Sequence, residues 1–282
     1  MQPFINELMA FKSIHGDYIL LMRELGIYIN RFDYKAPARF TFTENTNGGA
    51  RLHKSTVDIA TLTLEGFARN NLAIIGELKR IFYSNAIGKM YYSEHWLDCE
   101  CDININFEEY GQFGVPFQIL FKAHFPYWQR EIRTNPLMKV TPLFHFPFTN
   151  EVNDVFYFGE QQPFTDIIIH NAGDVITPTR ITIVAEDGYL VNPSIYNETT
   201  GERIRIIRRL ERFDRLVISN FGGIFTVTLN GNEALQLLDG SQLDFINLNP
   251  RINILHFDAD VNVTNARATI EYNELLANIK DI

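Results

Sequence analysis

Alternation of apolar and polar residues is the sequence feature that most limits how this chain can fold. Within Leu97–Ile105 every second residue is apolar or cysteine, and every residue between is Asp, Glu or Asn. Side chains of a strand point alternately to opposite faces, so this period of two predicts a strand with one buried and one wet face. Similar patterns predict strands at 38–43, 57–67 and 113–124.

One segment has a clear helical period. Within residues 70–84 apolar side chains recur every three or four positions, and Asn70 or Asn71 can cap the first turn. The polar stretch Glu44–Ser55 contains Asn-Gly-Gly and predicts a long turn, which we expect to act as an interaction arm.

The second half of the chain has short apolar patterns every 8–12 residues, which is typical of a β-sandwich. The predicted strands are 140–148, 166–171, 179–185, 202–208, 215–219, 224–229, 252–257 and 268–272. A linker at Arg133–Pro136 separates the halves, because proline restrains the residue before it. The sequence therefore predicts a mainly β protein: residues 1–135 as an antiparallel sheet with one helix, and residues 136–282 as a sandwich.

The charge of the chain is unevenly distributed. Residues 1–133 carry 14 basic and 15 acidic side chains, a net of −1, whereas residues 134–282 carry 11 and 19, a net of −8. Neither half has the basic surplus of a nucleic-acid-binding protein. The sequence also has no apolar run long enough to span a bilayer and no secretion signal, so we expect no membrane association.

Two cysteines and a histidine on the 97–105 strand raise the question of a metal site. His95, Cys99 and Cys101 could supply half of one, since thiolate and imidazole bind zinc. Both cysteines, however, share one face with Leu97 and Ile103, where a thiol behaves as a small apolar group. We therefore predict no metal and no cofactor.

Carboxylates occupy the other face of the same strand. Asp98, Glu100 and Asp102 alternate there, and Glu108 and Glu109 follow. A pair of carboxylates can hydrolyse glycosides at a suitable separation, but a row of acids on the wet face of a sheet is more often a solvated surface. No other catalytic motif is present, so no catalytic residues are predicted.

A second charged cluster lies in the predicted sandwich. Its arginines are Arg203, Arg205, Arg208, Arg209, Arg212 and Arg215. Phosphate binding is one interpretation, but Glu202, Glu211 and Asp214 are interleaved. A salt-bridged strand face or a subunit contact is the preferred interpretation.

Specific motifs carry a resemblance to a known family. Ile169–Asp174 followed by Thr177-Pro178, the hairpin Asn197–Glu202, and the turn Leu248–Ile254 resemble segments of the C-terminal domain of distal tail (Dit) proteins of long-tailed phages. Lys89–Tyr92 and Phe125–Trp128 are similar to parts of the N-terminal domain. Arg251 stands where the family usually has glycine, so a turn needing positive φ there is expected to differ locally.

The resemblance implies a structural protein of the virion tail tip, assembled in the bacterial host cytoplasm. Family members form a hexameric ring through an N-terminal belt domain similar to tail-tube proteins, and carry a galectin-like sandwich outside it. The implied partners are the tail tube protein, the tail-associated lysin or baseplate hub, and receptor-binding proteins.

Two alternative functions remain open on the sequence. One is a carbohydrate-binding adhesin, although Trp96 and Trp128 both lie outside the predicted sandwich. The other is a cell-wall glycoside hydrolase that uses carboxylates such as Asp98 and Glu100.

Overall fold

The computed structural model describes residues 9–44, 50–69, 71–108, 114–142, 159–162, 166–240 and 245–279. They form two compact units: unit 1 contains residues 1–131 and 276–282, and unit 2 contains residues 132–275. Each unit has its own apolar core. The predicted division at 135/136 into separately assembling and separately folding parts stays a prediction.

Unit 1 consists of antiparallel strands and one helix. Its elements are β1 (Met9–Ser13), β2 (Tyr18–Leu20), β3 (Ile27–Lys35), β4 (Ala38–Glu44), β5 (Ala50–Val57), β6 (Ala60–Ala68), α1 (Leu72–Ile81), β7 (Ile87–Tyr92), β8 (His95–Cys101), β9 (Asn106–Phe107), β10 (Val115–Ala123) and β11 (Trp128–Pro136), which runs on into unit 2. The main sheet has the order β2-β1-β7-β8-β10-β6-β3, while β4 and β5 form a separate hairpin.

Helix α1 covers the sheet of unit 1 with its apolar face. Asn71 caps the helix, because its side chain accepts a hydrogen bond from the Ala73 amide at 2.9 Å. Leu78 is fully buried in the core, where Phe11 and Phe82 pack with ring centroids 5.1 Å apart. Each fully buried large apolar side chain contributes about 1.5–3 kcal/mol, so this face holds the helix on the sheet.

Unit 2 is built from strands that pair in two main sheets. The elements after β11 are β12 (Lys139–Pro142), β13 (Gly159–Gln162), β14 (Ile167–Asn171), β15 (Thr177–Ala185), β16 (Leu190–Asn197), β17 (Arg203–Arg205), β18 (Arg209–Leu210), β19 (Arg215–Ser219), β20 (Thr226–Leu229), β21 (Asn232–Glu233), β22 (Asn247–Leu248), β23 (Arg251–Val261) and β24 (Ala266–Leu276). One sheet has the order β24-β15-β19-β20-β21, and the other has the order β14-β23-β16-β17.

The core of unit 2 lies between these two sheets. Ile181 and Ile270 enter it from one sheet, and Ile195 and Phe257 enter it from the other. In β15 every second side chain is buried, from Thr177 to Ala185, as expected when one face of a strand meets an apolar core. Unit 2 is therefore a β-sandwich, and the predicted mainly β fold is confirmed.

The structure corrects one feature of the 97–105 strand. We expected alternation to continue through Ile103, but β8 ends at Cys101 and Ile103 is exposed. The neighbouring β7 begins at Ile87, opposite Glu100, so the ladder on that side ends near Cys101, although the Asp102 amide still donates to the Leu120 carbonyl of β10 at 2.8 Å. A strand needs a hydrogen-bonding neighbour as well as a pattern, and the pattern alone extended it too far.

Among the residues that the structure describes, no helix is long and apolar enough to cross a membrane.

Candidate functional site

The β4–β5 hairpin of unit 1 has an exposed base. The two strands pair with each other from Ala38 opposite Val57 outward, with a register shift at Thr41/Phe42. All side chains of residues 38–41 and 56–59 are exposed, so neither face of the hairpin base is buried in the unit. Such a ribbon is only marginally stable alone and gains from contact with another surface.

The hairpin also corrects the predicted turn Glu44–Ser55. Strand β5 begins at Ala50, so most of that stretch is strand, and only residues 45–49 at its centre lie outside the described part. Whether the hairpin acts as an interaction arm stays a prediction.

The cysteines of β8 lie in the core of unit 1. Cys99 and Cys101 are buried, and burial raises the pKa of the Cys101 thiol to about 12 and also raises the pKa of Cys99. His95 is on the same face, and its Nε2 accepts a hydrogen bond from Arg130 at 2.8 Å. The described residues contain no group of three His, Cys, Asp or Glu side chains suited to a metal ion.

The carboxylates on the other face of β8 are each paired. Asp98 accepts a hydrogen bond from Gln129 at 2.7 Å, Glu100 lies 2.8 Å from His124, and Asp102 lies 2.7 Å from Lys122. Glu108 directly follows β9, and Glu109 lies outside the described residues. The acids thus form a row of separate polar pairs on one sheet.

Arginines of the cluster in unit 2 pair with acids of the same unit. Arg205 donates to both carboxylate oxygens of Asp260, at 2.9 and 2.7 Å, and Arg209 pairs with Glu211 at 2.9 Å. The amide of Asn192 and then Arg205 lower the pKa of Asp260 below its ordinary value. These pairs agree with the preferred salt-bridged interpretation, while a subunit contact stays a prediction.

The three motifs of unit 2 meet in one buried cluster of asparagines, which we call the amide cluster: Asn171, Asn197 and Asn253. Each is 0% exposed. Their side-chain NH2 groups donate to consecutive carbonyls of residues 247–249: Asn197 to residue 247 at 2.8 Å, Asn171 to residue 248 at 3.2 Å, and Asn253 to residue 249 at 2.8 Å. The three motifs therefore form one hydrogen-bonded cluster that holds the segment before β23 in place.

The acceptor oxygens of the amide cluster are also used. The side-chain oxygen of Asn253 accepts from the Asn249 amide at 2.9 Å, and that of Asn171 accepts from the Gly173 amide at 3.0 Å. An added Cβ at Gly173 would lie 2.6 Å from the Leu275 carbonyl oxygen, so glycine is required there. Buried amides that satisfy both their donors and acceptors specify one backbone arrangement.

Asn247 lies at the centre of this hydrogen-bonded cluster and was not predicted from the sequence. Asn247 donates its backbone amide and its side-chain NH2 to Glu202, at 2.8 and 3.1 Å, and its carbonyl accepts from Asn197. Glu202 also accepts from the Thr200 hydroxyl at 2.9 Å. The signal available in the sequence was an asparagine just before an apolar strand, which is too common to single out.

Whether the turn at Arg251 differs locally from the family pattern stays a prediction. Arg251 itself has φ 76°, a left-handed conformation that is costly for a residue other than glycine. The clamp of Asn253 on Asn249 closes the turn on its other side. Gly201 has φ 77°, as predicted for the 197–202 hairpin.

Comparison with protein families gives one match. Residues 172–275 match the model described as "Siphovirus-type tail component, C-terminal domain". This range lies within unit 2 and includes two members of the amide cluster. No curated protein sequence matches the chain.

Comparison with solved structures extends the likeness of fold over most of the chain. The Dit protein of phage SPP1, described as a paradigm of the hub adsorption apparatus in phages infecting Gram-positive bacteria, has a TM-score of 0.67 at 10% identity, covering 95% of this chain and 98% of that one. Two structures of the phage P2 baseplate in its activated conformation, with Ca and with Sr, each have a TM-score of 0.41 at 10% identity, covering 98% and 94% of this chain and 100% and 97% of theirs.

Proposed function

We propose that this chain is a member of the Dit family and the ring subunit of a siphovirus-type tail tip, because residues 172–275 match a siphovirus-type tail component model and the fold resembles that of a Dit protein. In this proposal six copies close a ring through unit 1 and join the tail tube to the tail-associated lysin or baseplate hub. Receptor-binding proteins attach to the same assembly. The ring is built in the host cytoplasm and carried in the virion.

The exposed β4–β5 hairpin is the observation that carries this proposal. At the base of the hairpin, residues 38–41 and 56–59 are exposed, and a two-stranded ribbon is only marginally stable alone, so contact with another subunit would stabilise it. A closed ring requires a heterologous interface, in which one patch meets a different patch of the neighbour. An arm that reaches outward provides one such patch.

The charge distribution supports placing unit 2 on the outside. Residues 1–133 have a net charge of −1 and can lie close together in six copies, whereas residues 134–282 have a net charge of −8. Copies of the acidic half repel one another less when solvent separates them by more than a Debye length, about 10 Å at 0.1 M salt.

We propose no catalytic role. Asp98, Glu100 and Asp102 are each engaged by a polar or basic neighbour, so none of these three described carboxylates is free. A carbohydrate-binding role is also not favoured, because Trp128 is in the core of unit 1 and Lys89 lies over the Trp96 ring at 4.9 Å. Incubation with peptidoglycan and a glycan-array screen test these two alternatives, and both are expected to be negative.

Negative-stain imaging and sedimentation of the purified full-length chain test the ring. We expect particles with six-fold symmetry and a sedimenting species of six chains. A variant in which residues 39–56 are replaced by a short Gly-Asn turn should remain folded and lose the ring. Sedimentation that shows only monomer at high concentration, with or without the tail partners, refutes the proposal.

A further inference from the structure

One exposed turn of unit 2 holds a bulky residue in a conformation that is costly for it. The turn Glu211–Asp214 is closed by a 2.9 Å hydrogen bond from the Asp214 amide to the Glu211 carbonyl, and Phe213 at its third position has φ 71°. Glycine or asparagine usually occupies such a position, because a larger side chain crowds its own backbone there. Phe213 is also 67% exposed, so its ring contributes little to the core of its own unit.

Hydrogen bonds hold this strained turn in place. The Phe213 amide donates to the Ala185 carbonyl at 2.6 Å, and the Glu211 amide donates to the Asp214 carboxylate at 2.8 Å. The side chain of Asn230 donates to the same carboxylate at 2.8 Å. Backbone strain that its surroundings maintain, at a side chain exposed to solvent, indicates a role outside the unit.

Arg212 is stacked on the exposed ring. Its guanidinium carbon lies 4.7 Å from the centroid of the Phe213 ring, and its Nε donates to the Glu186 carbonyl at 3.1 Å. Among the residues that the structure describes, no carboxylate pairs with Arg212, so its terminal NH2 groups are available to a carboxylate from outside. A second stacked pair contacts the same connection between β15 and β16, since Arg209 lies over the Tyr189 ring at 4.0 Å.

The charge of this region is opposite in sign to that of the half of the chain around it. Residues 207–215 contain four arginines and two acids, a net of +2, whereas residues 134–282 have a net of −8. Exposed charges act over about a Debye length, roughly 10 Å at 0.1 M salt, so a single carboxylate beside the turn meets mainly the arginines. A long polyanion such as a nucleic acid also meets the acidic remainder. The charge pattern therefore favours a protein partner over a nucleic acid.

We propose that Arg212 and Phe213 form a docking site for an acidic segment of another protein. A carboxylate of the partner accepts from both terminal NH2 groups of Arg212, and an adjacent apolar side chain packs on the exposed part of the Phe213 ring. Arginine and aromatic side chains are enriched in protein interfaces, and a guanidinium that is already held in position loses little entropy on binding. This docking site goes beyond the proposed ring and does not depend on it.

Peptide selection tests the chemistry of the docking site. A displayed library of short random peptides is first depleted on the full-length Phe213→Gly chain and then enriched on the full-length wild-type chain. We expect the enriched sequences to place an acidic residue beside an apolar one. Fluorescence anisotropy with the labelled, synthesised peptide should show binding to the wild-type chain that Arg212→Gln weakens about tenfold or more, as expected for an interface anchor.

Arg180 provides the matched control for Arg212. It also lies over an aromatic ring of unit 2, that of Phe221 at 4.8 Å, but it pairs with Glu271 at 3.3 Å. Arg180→Gln should therefore leave peptide binding unchanged. Thermal unfolding separates lost binding from lost folding, because Phe213→Gly relieves the positive φ and should raise the melting temperature by about 2 °C.

Three results overturn the docking site: enriched peptides without acidic residues, equal weakening by Arg180→Gln and Arg212→Gln, or a Phe213→Gly chain that melts below the wild type. A labelled oligothymidylate that binds the wild-type chain but not the Arg212→Gln chain assigns the surface to phosphate groups and also overturns it. Peptide binding is measured on whatever oligomer the chain forms, so failure to form a ring removes the proposed function without affecting this test.

Discussion

The two units of this chain are each stabilised by a different set of internal interactions. Unit 1 is stabilised by an apolar and aromatic core in which Phe11, Phe82, Phe121 and Trp128 are fully buried. Unit 2 has an apolar core between its sheets as well, but it adds the amide cluster, whose hydrogen bonds fix residues 247–249. The stability of unit 1 depends on side chains that fill the volume of its core, whereas the stability of unit 2 also depends on particular hydrogen-bonding groups.

The family model describes a C-terminal domain and matches residues 172–275, while the fold likeness extends over nearly the whole chain. An apolar core accepts many substitutions that keep its volume. A buried amide that uses its donor and acceptor together has no substitute of the same shape. Substitutions that keep side-chain volume should therefore be tolerated better in the core of unit 1 than at the amide cluster of unit 2.

The sharpest test of the comparison separates the units. Residues 1–135 should assemble alone and residues 136–282 should be a folded monomer, because the first part is nearly neutral and carries the hairpin. Ile279 packs in the core of unit 1, so a version with residues 276–282 attached by a flexible linker should be more soluble. Sedimentation of each fragment decides this, and a ring formed by 136–282 would reverse the assignment.

Asn253→Ala should cost about 2–4 kcal/mol of unfolding free energy. The change leaves the Asn249 amide and carbonyl without their partners, and each unsatisfied buried group costs roughly 1–3 kcal/mol. The matched change in unit 1, Leu97→Met, keeps volume and should cost less than about 1.5 kcal/mol. Urea unfolding followed by circular dichroism measures both, and equal costs would contradict the distinction between the units.

Arg251→Gly should stabilise the chain by about 1 kcal/mol. A non-glycine residue pays roughly 1–2 kcal/mol in the left-handed region, and the greater entropy of glycine in the unfolded chain offsets part of the gain. Arg251→Ala removes the same side chain without relieving the backbone, so it is the control and should not stabilise. Thermal unfolding of the three proteins in parallel tests this.

The smallest effect is expected at the surface of unit 1, where Arg80 contacts Asp17. The Arg80 hydrogen bond holds the pKa of Asp17 below its ordinary value. The sign follows from this depressed pKa: the pair stabilises the fold above the unfolded value of about 3.9, and the contribution is lost as the pH falls through the lower folded value. Arg80→Gln should flatten this acid dependence of the melting temperature slightly, as tryptophan fluorescence can show.

Much of the strand content was predictable because a buried face leaves a period of two in the sequence. The predicted strand 215–219 coincides with β19, and the helix was found with its cap at Asn71. The β5 half of the hairpin was missed because apolar and polar residues do not alternate regularly over Ala50–Val57.

The local sequence determined three features: the elements with one buried face, the left-handed conformation of Gly201 in its hairpin, and the burial of the two cysteines. Each of these depends on neighbours within a few residues. Tertiary structure alone decided that Asn171, Asn197 and Asn253 clamp three consecutive carbonyls, since they come from strands far apart in the chain. Tertiary structure also decided that Arg251 adopts the left-handed conformation that favours glycine. That strain is tolerated because the surrounding hydrogen bonds leave the backbone no alternative.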